Sequence, residues 1–144
     1  MLSKVLIRDS LASDYSAIAS LLRQLGHQIS SVLVLEKIET LCWSSTDKLL
    51  VATVDDQLVG SISLHLCPQF HAEGFVGRVT SLIVDERNRG CGVGTALIAA
   101  AETWFKRVGC VESEVAHNDR GSEAARFYER QNFSRDGLRL SKRL

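Results

Sequence analysis

The sequence predicts an α/β (α+β) fold: a mixed central β-sheet flanked by about four helices, in a single domain spanning 1–144. Two observations carry this expectation. An apolar, β-branched run, Val79-Thr80-Ser81-Leu82-Ile83-Val84, leads into a glycine-rich loop, a helical period and a further strand over 110–116. Strand, helix and strand in that order imply a right-handed crossover between two parallel neighbours. By contrast, the runs 49–54 and 58–66 are joined only by Asp55-Asp56-Gln57, a hairpin turn, and so form an antiparallel pair. With no internal repeat, linker or low-complexity segment, both kinds of pairing belong to one sheet.

In chain order, Lys4 to Arg8 reads as a short strand. Ser13 and Asp14 supply helix-start chemistry, and Tyr15, Ile18, Leu22 and Leu25 recur at helical spacing before Gly26 stops the helix. A weaker helical pattern passes through Leu35, Ile38, Leu41 and Cys42, while 29–35 is β-branched enough to leave a strand open. In the second hairpin strand Leu58, Gly60, Ile62, Leu64 and Leu66 share one face, and Val59, Ser61, Ser63 and His65 the other. A loop over 67–74 contains Pro68, the only proline. After the strand to Val84, Leu97, Ile98, Ala101, Trp104, Phe105 and Val108 mark a long helix ended by Gly109. A strand over 110–116, a helix over 122–131 and a final strand over 133–140 complete the expected order.

Composition narrows the function classes. Hydrophobic residues at 45% and charged residues at 24% are ordinary for a globular domain able to bury a core. A formal net charge of zero argues against a non-specific nucleic-acid binder. No apolar run approaches the ~20 residues that span a membrane, and the first residues lack the apolar stretch of a signal peptide. Cys42, Cys67, Cys91 and Cys110 show no C-x-x-C spacing, which favours reduced thiols over a disulfide or zinc site. A cytoplasmic protein without a metal is the expectation.

The chemistry concentrates in Arg87-Asn88-Arg89-Gly90-Cys91-Gly92-Val93-Gly94-Thr95. Glycines at alternate positions let the backbone turn and a ligand approach its amides. The first N–H groups of the following helix have no internal partner and suit phosphate oxygens. A P-loop needs a lysine that does not follow Gly94, and a dinucleotide fingerprint from Gly92 needs glycine where Leu97 stands. What remains is Arg-x-x-Gly-x-Gly on Arg89, Gly92 and Gly94. About thirty residues on come Ala124, Phe127, Tyr128 and Phe133 in the pattern Ala-x-x-Phe-Tyr-x-x-x-x-Phe. The two signatures together resemble the GCN5-related N-acetyltransferase (GNAT) superfamily. Asn132 stands where glycine is usual, a mild departure because Asn tolerates the left-handed conformation. Gly121 stands where Asn or Arg is common and offers no side chain.

The resemblance implies a sheet of six to seven strands in which the two parallel strands splay apart and admit the pantetheine arm of acetyl-CoA. It implies phosphate contacts from Arg89, Gly90, Cys91, Gly92, Val93, Gly94 and Thr95, and pantetheine or thioester contacts from Leu82, Ile83 and Val84. Tyr128 stands where the family commonly protonates the CoA thiolate, a task that suits a phenol with a pKa near 10. Relatives often carry a basic carboxylate near the positions of Thr80 and Ser81, and neither hydroxyl is a credible base unaided. His65, His71, Glu73, Glu112, Glu114 and His117 are the alternatives, together with proton loss to bulk water through a water chain. The implied function is acetyl transfer from acetyl-CoA directly to a primary amine of a small molecule or peptide, with a homodimer among the open assemblies. A CoA-binding sensor or partner module without catalysis is the alternative.

Overall fold

The structure, a computed structural model, describes residues 4–116, 123–135 and 140–144. Strands β1 (Val5–Asp9), β2 (Asp47–Val54), β3 (Gln57–Pro68), β4 (Phe75–Val84) and β5 (Cys110–Val115) form one sheet in that spatial order. The first three pairings are antiparallel and the pairing of β4 with β5 is parallel. Helices α1 (Tyr15–Gln24) and α2 (Ser31–Cys42) join β1 to β2, α3 (Val93–Arg107) joins β4 to β5, and α4 (Glu123–Arg130) follows β5. Among the described residues no helix is long and apolar enough to cross a membrane.

The expected sheet of six to seven strands with a splayed parallel pair is corrected by this arrangement. Five strands form among the described residues, and β4 and β5 are paired in register from Phe75–Cys110 to Val79–Val115. Past α4 the chain folds back on its own helix, since the Phe133 N–H donates to the Tyr128 carbonyl at 3.0 Å. Of the final strand expected over 133–140, residues 133–135 and 140 are not strand, and 136–139 lie outside the described residues.

Other boundaries move for local reasons. The ambiguous stretch before Leu35 resolves into helix from Ser31, because the Ser30 hydroxyl caps it by accepting from the Leu33 N–H at 3.1 Å. The β2–β3 turn places Asp55 and Asp56 at φ 50° and 63°, the left-handed pair that a two-residue hairpin requires. Strand β4 starts at Phe75, earlier than its β-branched run suggests, because Gly77 packs beneath the Phe105 ring of α3.

Each face of the sheet has its own core. Leu50, Ala52, Ile62, Leu64 and Val79 meet Leu97, Ile98, Ala101 and Phe105 of α3. On the opposite face Val51 packs with Ile18, Ala19, Val34 and Ile38 of α1 and α2. Gly60 belongs to the α3 side, where a Cβ would lie 3.0 Å from a Val93 methyl. The start of α3 is thereby pressed onto the sheet, with its N-terminus just beyond the end of β4.

Candidate active site

The loop between β4 and α3 is held from within. Asp85 is buried, its N–H donates to the Val59 carbonyl at 2.8 Å, and its carboxylate accepts from the Arg87 N–H at 3.1 Å. The hydrogen bond from the Arg87 backbone is the main reason that the Asp85 carboxyl lies below the usual carboxylate range. From α1, the Gln24 carbonyl oxygen accepts from the Glu86 N–H at 3.2 Å. The Arg89 side chain donates back to the Val84 carbonyl at 3.4 Å, which keeps its guanidinium beside the loop. Sequence reasoning missed Asp85 and Gln24. An aspartate directly after a strand and before a short turn was the available signal for Asp85, whereas nothing local marks Gln24.

Gly90 and Gly92 lie in the left-handed region at φ 76° and 85°, and a Cβ built on either meets nothing within 4 Å. Their role is to turn the backbone while leaving space above it. Gly92 is the N-cap of α3 and supplies no side-chain cap, so the first-turn amides of Val93, Gly94 and Thr95 remain for an external acceptor. Val93 itself is buried in the core, so only its amide can serve a ligand. Gly94 has another purpose, because a Cβ there would lie 3.0 Å from the Phe127 ring. Its missing side chain lets α4 sit against the start of α3, and the Gln131 amide adds a 2.9 Å hydrogen bond to the Thr95 hydroxyl. Cys91 is exposed on the loop.

Docking α4 in this way places Tyr128. Its ring meets Phe133 edge-on at 5.7 Å and packs against the α3-side core. Burial pushes its phenol above the ordinary value, which keeps it protonated at neutral pH. Asn132 adopts φ 71° at the end of α4, filling the left-handed position where glycine is usual.

Beyond Val79, β4 continues through Val84 while its pairing with β5 has ended. The outer backbone edge of 80–84, including Leu82, Ile83 and Val84, therefore faces no strand among the described residues. This edge begins at a bulge. Ser63 pairs with Ser81 and Leu64 with Val79, which leaves Thr80 as the extra residue. The Ser63 hydroxyl lies 2.5 Å from that of Thr80 and 2.7 Å from that of Ser81. Three hydroxyls thus cluster where the family often carries a carboxylate.

The alternative bases are dispersed. His71 and Glu73 are exposed beyond the Pro68–Phe75 end of the hairpin, roughly 17 Å along the strand from Thr80. Glu112 is exposed on β5, and Glu114 is ion-paired to Arg78 at 2.6 Å. His117 lies outside the described residues. His65 differs from all of these, because its Nδ1 lies 2.8 Å from an Asp47 carboxylate oxygen on β2. Among the described residues no group of His, Cys, Asp and Glu side chains is placed to hold a metal ion.

The site thus combines a pinned glycine loop, uncapped helix amides and a strand edge that faces no strand among the described residues. Residues 16–133 match the Acetyltransferase (GNAT) family, and the chain belongs to that family. That family is one of acetyltransferases. Aminoalkylphosphonate N-acetyltransferase of Salmonella typhimurium is 31% identical over 94 residues. That stretch covers 65% of this chain and 61% of the relative. An acetyltransferase of Trypanosoma brucei superposes with a TM-score of 0.81 at 25% identity, covering 98% of this chain and 100% of the other. The aminoglycoside N-acetyltransferase AAC(6')-Iy in complex with CoA superposes with a TM-score of 0.88 at 18% identity, covering 100% and 97%; at that identity it shows the shared fold.

Proposed function

We propose that this chain transfers the acetyl group of acetyl-CoA directly to a primary amine of a small molecule or peptide, in a ternary complex, in the cytoplasm. The observation that carries the reading is the uncapped first turn of α3 behind two left-handed glycines, with the Arg89 side chain held beside it. The loop amides and Arg89 suit the pyrophosphate, where the helix dipole and the guanidinium act together. The open edge of β4 supplies backbone groups at Leu82, Ile83 and Val84 for the amides of the pantetheine arm.

Acetyl-CoA is already activated, so no covalent enzyme intermediate is needed, and holding the amine against the thioester supplies much of the rate. The neutral amine attacks the carbonyl carbon, the C–S bond breaks, and its electron pair leaves on sulfur. Tyr128, kept protonated by burial, gives that sulfur a proton.

The acceptor is expected on the face of the sheet that α1 and α2 cover. The name of the Salmonella relative makes an aminoalkylphosphonate the first acceptor to try, followed by aminoglycosides, polyamines and peptide N-termini. The hydroxyl cluster at Thr80, in place of a carboxylate, favours a second reading, a CoA-binding module without catalysis. Thiol release from acetyl-CoA with this acceptor panel separates the two. Amine-dependent release supports transfer, whereas CoA binding without release from any amine supports the module. In either case Gly92→Val should weaken CoA binding at least tenfold in a folded protein. Undiminished affinity would remove the loop from the ligand site.

A further inference from the structure

We propose that His65, oriented by Asp47, is the base that removes a proton from the substrate ammonium, so that the missing β4 carboxylate is replaced by a dyad spanning β2 and β3. The inference rests on the acetyl-transfer reading and adds to it the residue that makes the amine nucleophilic. Its foundation is the register of two hairpins. The β2–β3 pairing sets Asp47 opposite His65, and the β3–β4 pairing sets Ser63 opposite Ser81. Side chains at alternate positions of a strand share a face, so His65 and Ser63 project together, about 7 Å apart along β3. That face is the one covered by α1 and α2, since Val51, four residues along from Asp47 and so on the same face, belongs to the cluster of Ile38 and Val34. The dyad therefore lies beside the Thr80 bulge, on the side from which an acceptor would meet the β4 edge.

The hydrogen bonds settle which ring nitrogen is free to act. One Asp47 oxygen accepts from the Ser44 hydroxyl at 2.6 Å and the Thr46 hydroxyl at 2.9 Å, and the other faces His65 Nδ1 at 2.8 Å. Partial burial works against the charged carboxylate, but the bonds from Ser44, His65 and Thr46 outweigh it and keep Asp47 below the usual range. An ionised carboxylate can only accept, so Nδ1 must donate, and in the neutral ring Nε2 then carries the lone pair. An imidazole held through one nitrogen by a carboxylate, with the other nitrogen basic, is the base–orienter arrangement of nucleophile-activating sites. The His65 side chain is 39% exposed, open enough to meet a substrate directly or through one water. Among the described residues Arg78, its partner on β4, faces it and is ion-paired to Glu114 on β5, and the Cys67 thiol follows two residues along on the same face of β3.

The proton balance closes. His65 Nε2 takes one proton from the ammonium and later releases it to water. The second proton lost by nitrogen after attack replaces the one that Tyr128 gives to sulfur. In this scheme the Ser63, Thr80 and Ser81 hydroxyls relay protons or hold the amine, and His65 is the only group that changes charge as a base.

The test joins a measurement on the resting protein to one on turnover. Nitrogen NMR of the wild type at pH 8 is expected to show His65 protonated on Nδ1, with Asp47→Asn erasing that preference. A His65 proton on Nε2, or no response to Asp47→Asn, overturns the proposal. In acetyl transfer to 2-aminoethylphosphonate, or to the panel amine the wild type uses best, His65→Gln should lower kcat/KM about 10²-fold and remove the acid limb of its pH profile. Asp47→Asn should lower it less and shift that limb, with CoA affinity and melting temperature of both variants close to wild type. Undiminished transfer by His65→Gln refutes the base assignment and leaves acetyl transfer standing. A wild type that binds CoA yet acetylates none of the panel amines refutes both.

Discussion

Gly77→Ala tests the contact that seats α3 on the sheet. Gly77 is outside the left-handed region, so its backbone accepts alanine without strain. The obstacle is the Phe105 ring, whose nearest atoms would lie 2.5 and 2.6 Å from the new Cβ. Ordinary contact starts near 3.4 Å, so the ring must retreat by roughly 1 Å. Phe105 is only 3% exposed and packed among Leu66, Val79 and Ala101, so it cannot move without lifting α3. Overpacking of this kind costs about 1–3 kcal/mol. Removing a glycine from the unfolded chain returns only about 0.4–1 kcal/mol. The net loss of about 1–2 kcal/mol should lower the melting temperature by roughly 3–10 °C in a chain of this size. Thermal and urea unfolding would measure it, with Phe105→Leu as a second background in which the smaller side chain relieves the clash. The cost of Gly77→Ala should shrink there by about 1 kcal/mol. A melting temperature that holds or rises, or an equal cost in both backgrounds, would show that the ring does not rest on Gly77.

Tyr128→Phe keeps the ring that packs on Phe133, so folding and CoA affinity should change little while turnover falls ~10²–10⁴-fold. Full activity on a good acceptor would remove the acid role. Asp14 lies below its ordinary pKa because Arg8 donates to it at 2.8 and 3.0 Å. Its stabilisation is therefore complete above about pH 4 and is lost as pH falls through the lowered folded value. Asp14→Asn should melt below wild type at pH 7 and converge with it only as the pH falls through the lowered folded value; parallel curves would contradict the ion pair. Cys91 is exposed on the ligand loop, whereas burial raises the Cys110 thiol, so Cys91 should be alkylated faster and be protected by CoA. Equal labelling of the two, with and without CoA, would contradict the placement of the loop.

What could be read from the residues, and what could not, follows from how far apart the deciding contacts lie in sequence. The glycine-rich turn into α3 was legible because its glycines and the helix start are contiguous, whereas the contacts from Asp85, Val59 and Gln24 that hold it were not. The family signature likewise contained Tyr128. Gly94 was legible as a glycine but not in its purpose, because the ring it makes room for, Phe127, belongs to α4. The strand ends shifted for a related reason. Gly77 and Arg78 interrupt the apolar pattern of β4, yet Gly77 is there for Phe105 of α3 and Arg78 pairs with Glu114. The proposed base is the clearest case. A hairpin closed at Val54–Gln57 with unbroken pairing would set Asp47 opposite Leu64, an apolar residue of the other face. One irregularity, between Ala52 and Thr53, shifts the register by a single residue and sets Asp47 opposite His65 instead. A second bulge, at Thr80, turns that residue's hydroxyl toward Ser63. No periodicity announces either bulge, because each is a matter of how two strands align and not of either strand's own pattern. The residues proposed for proton removal are therefore ordinary in sequence and become a site only through two one-residue displacements in the sheet.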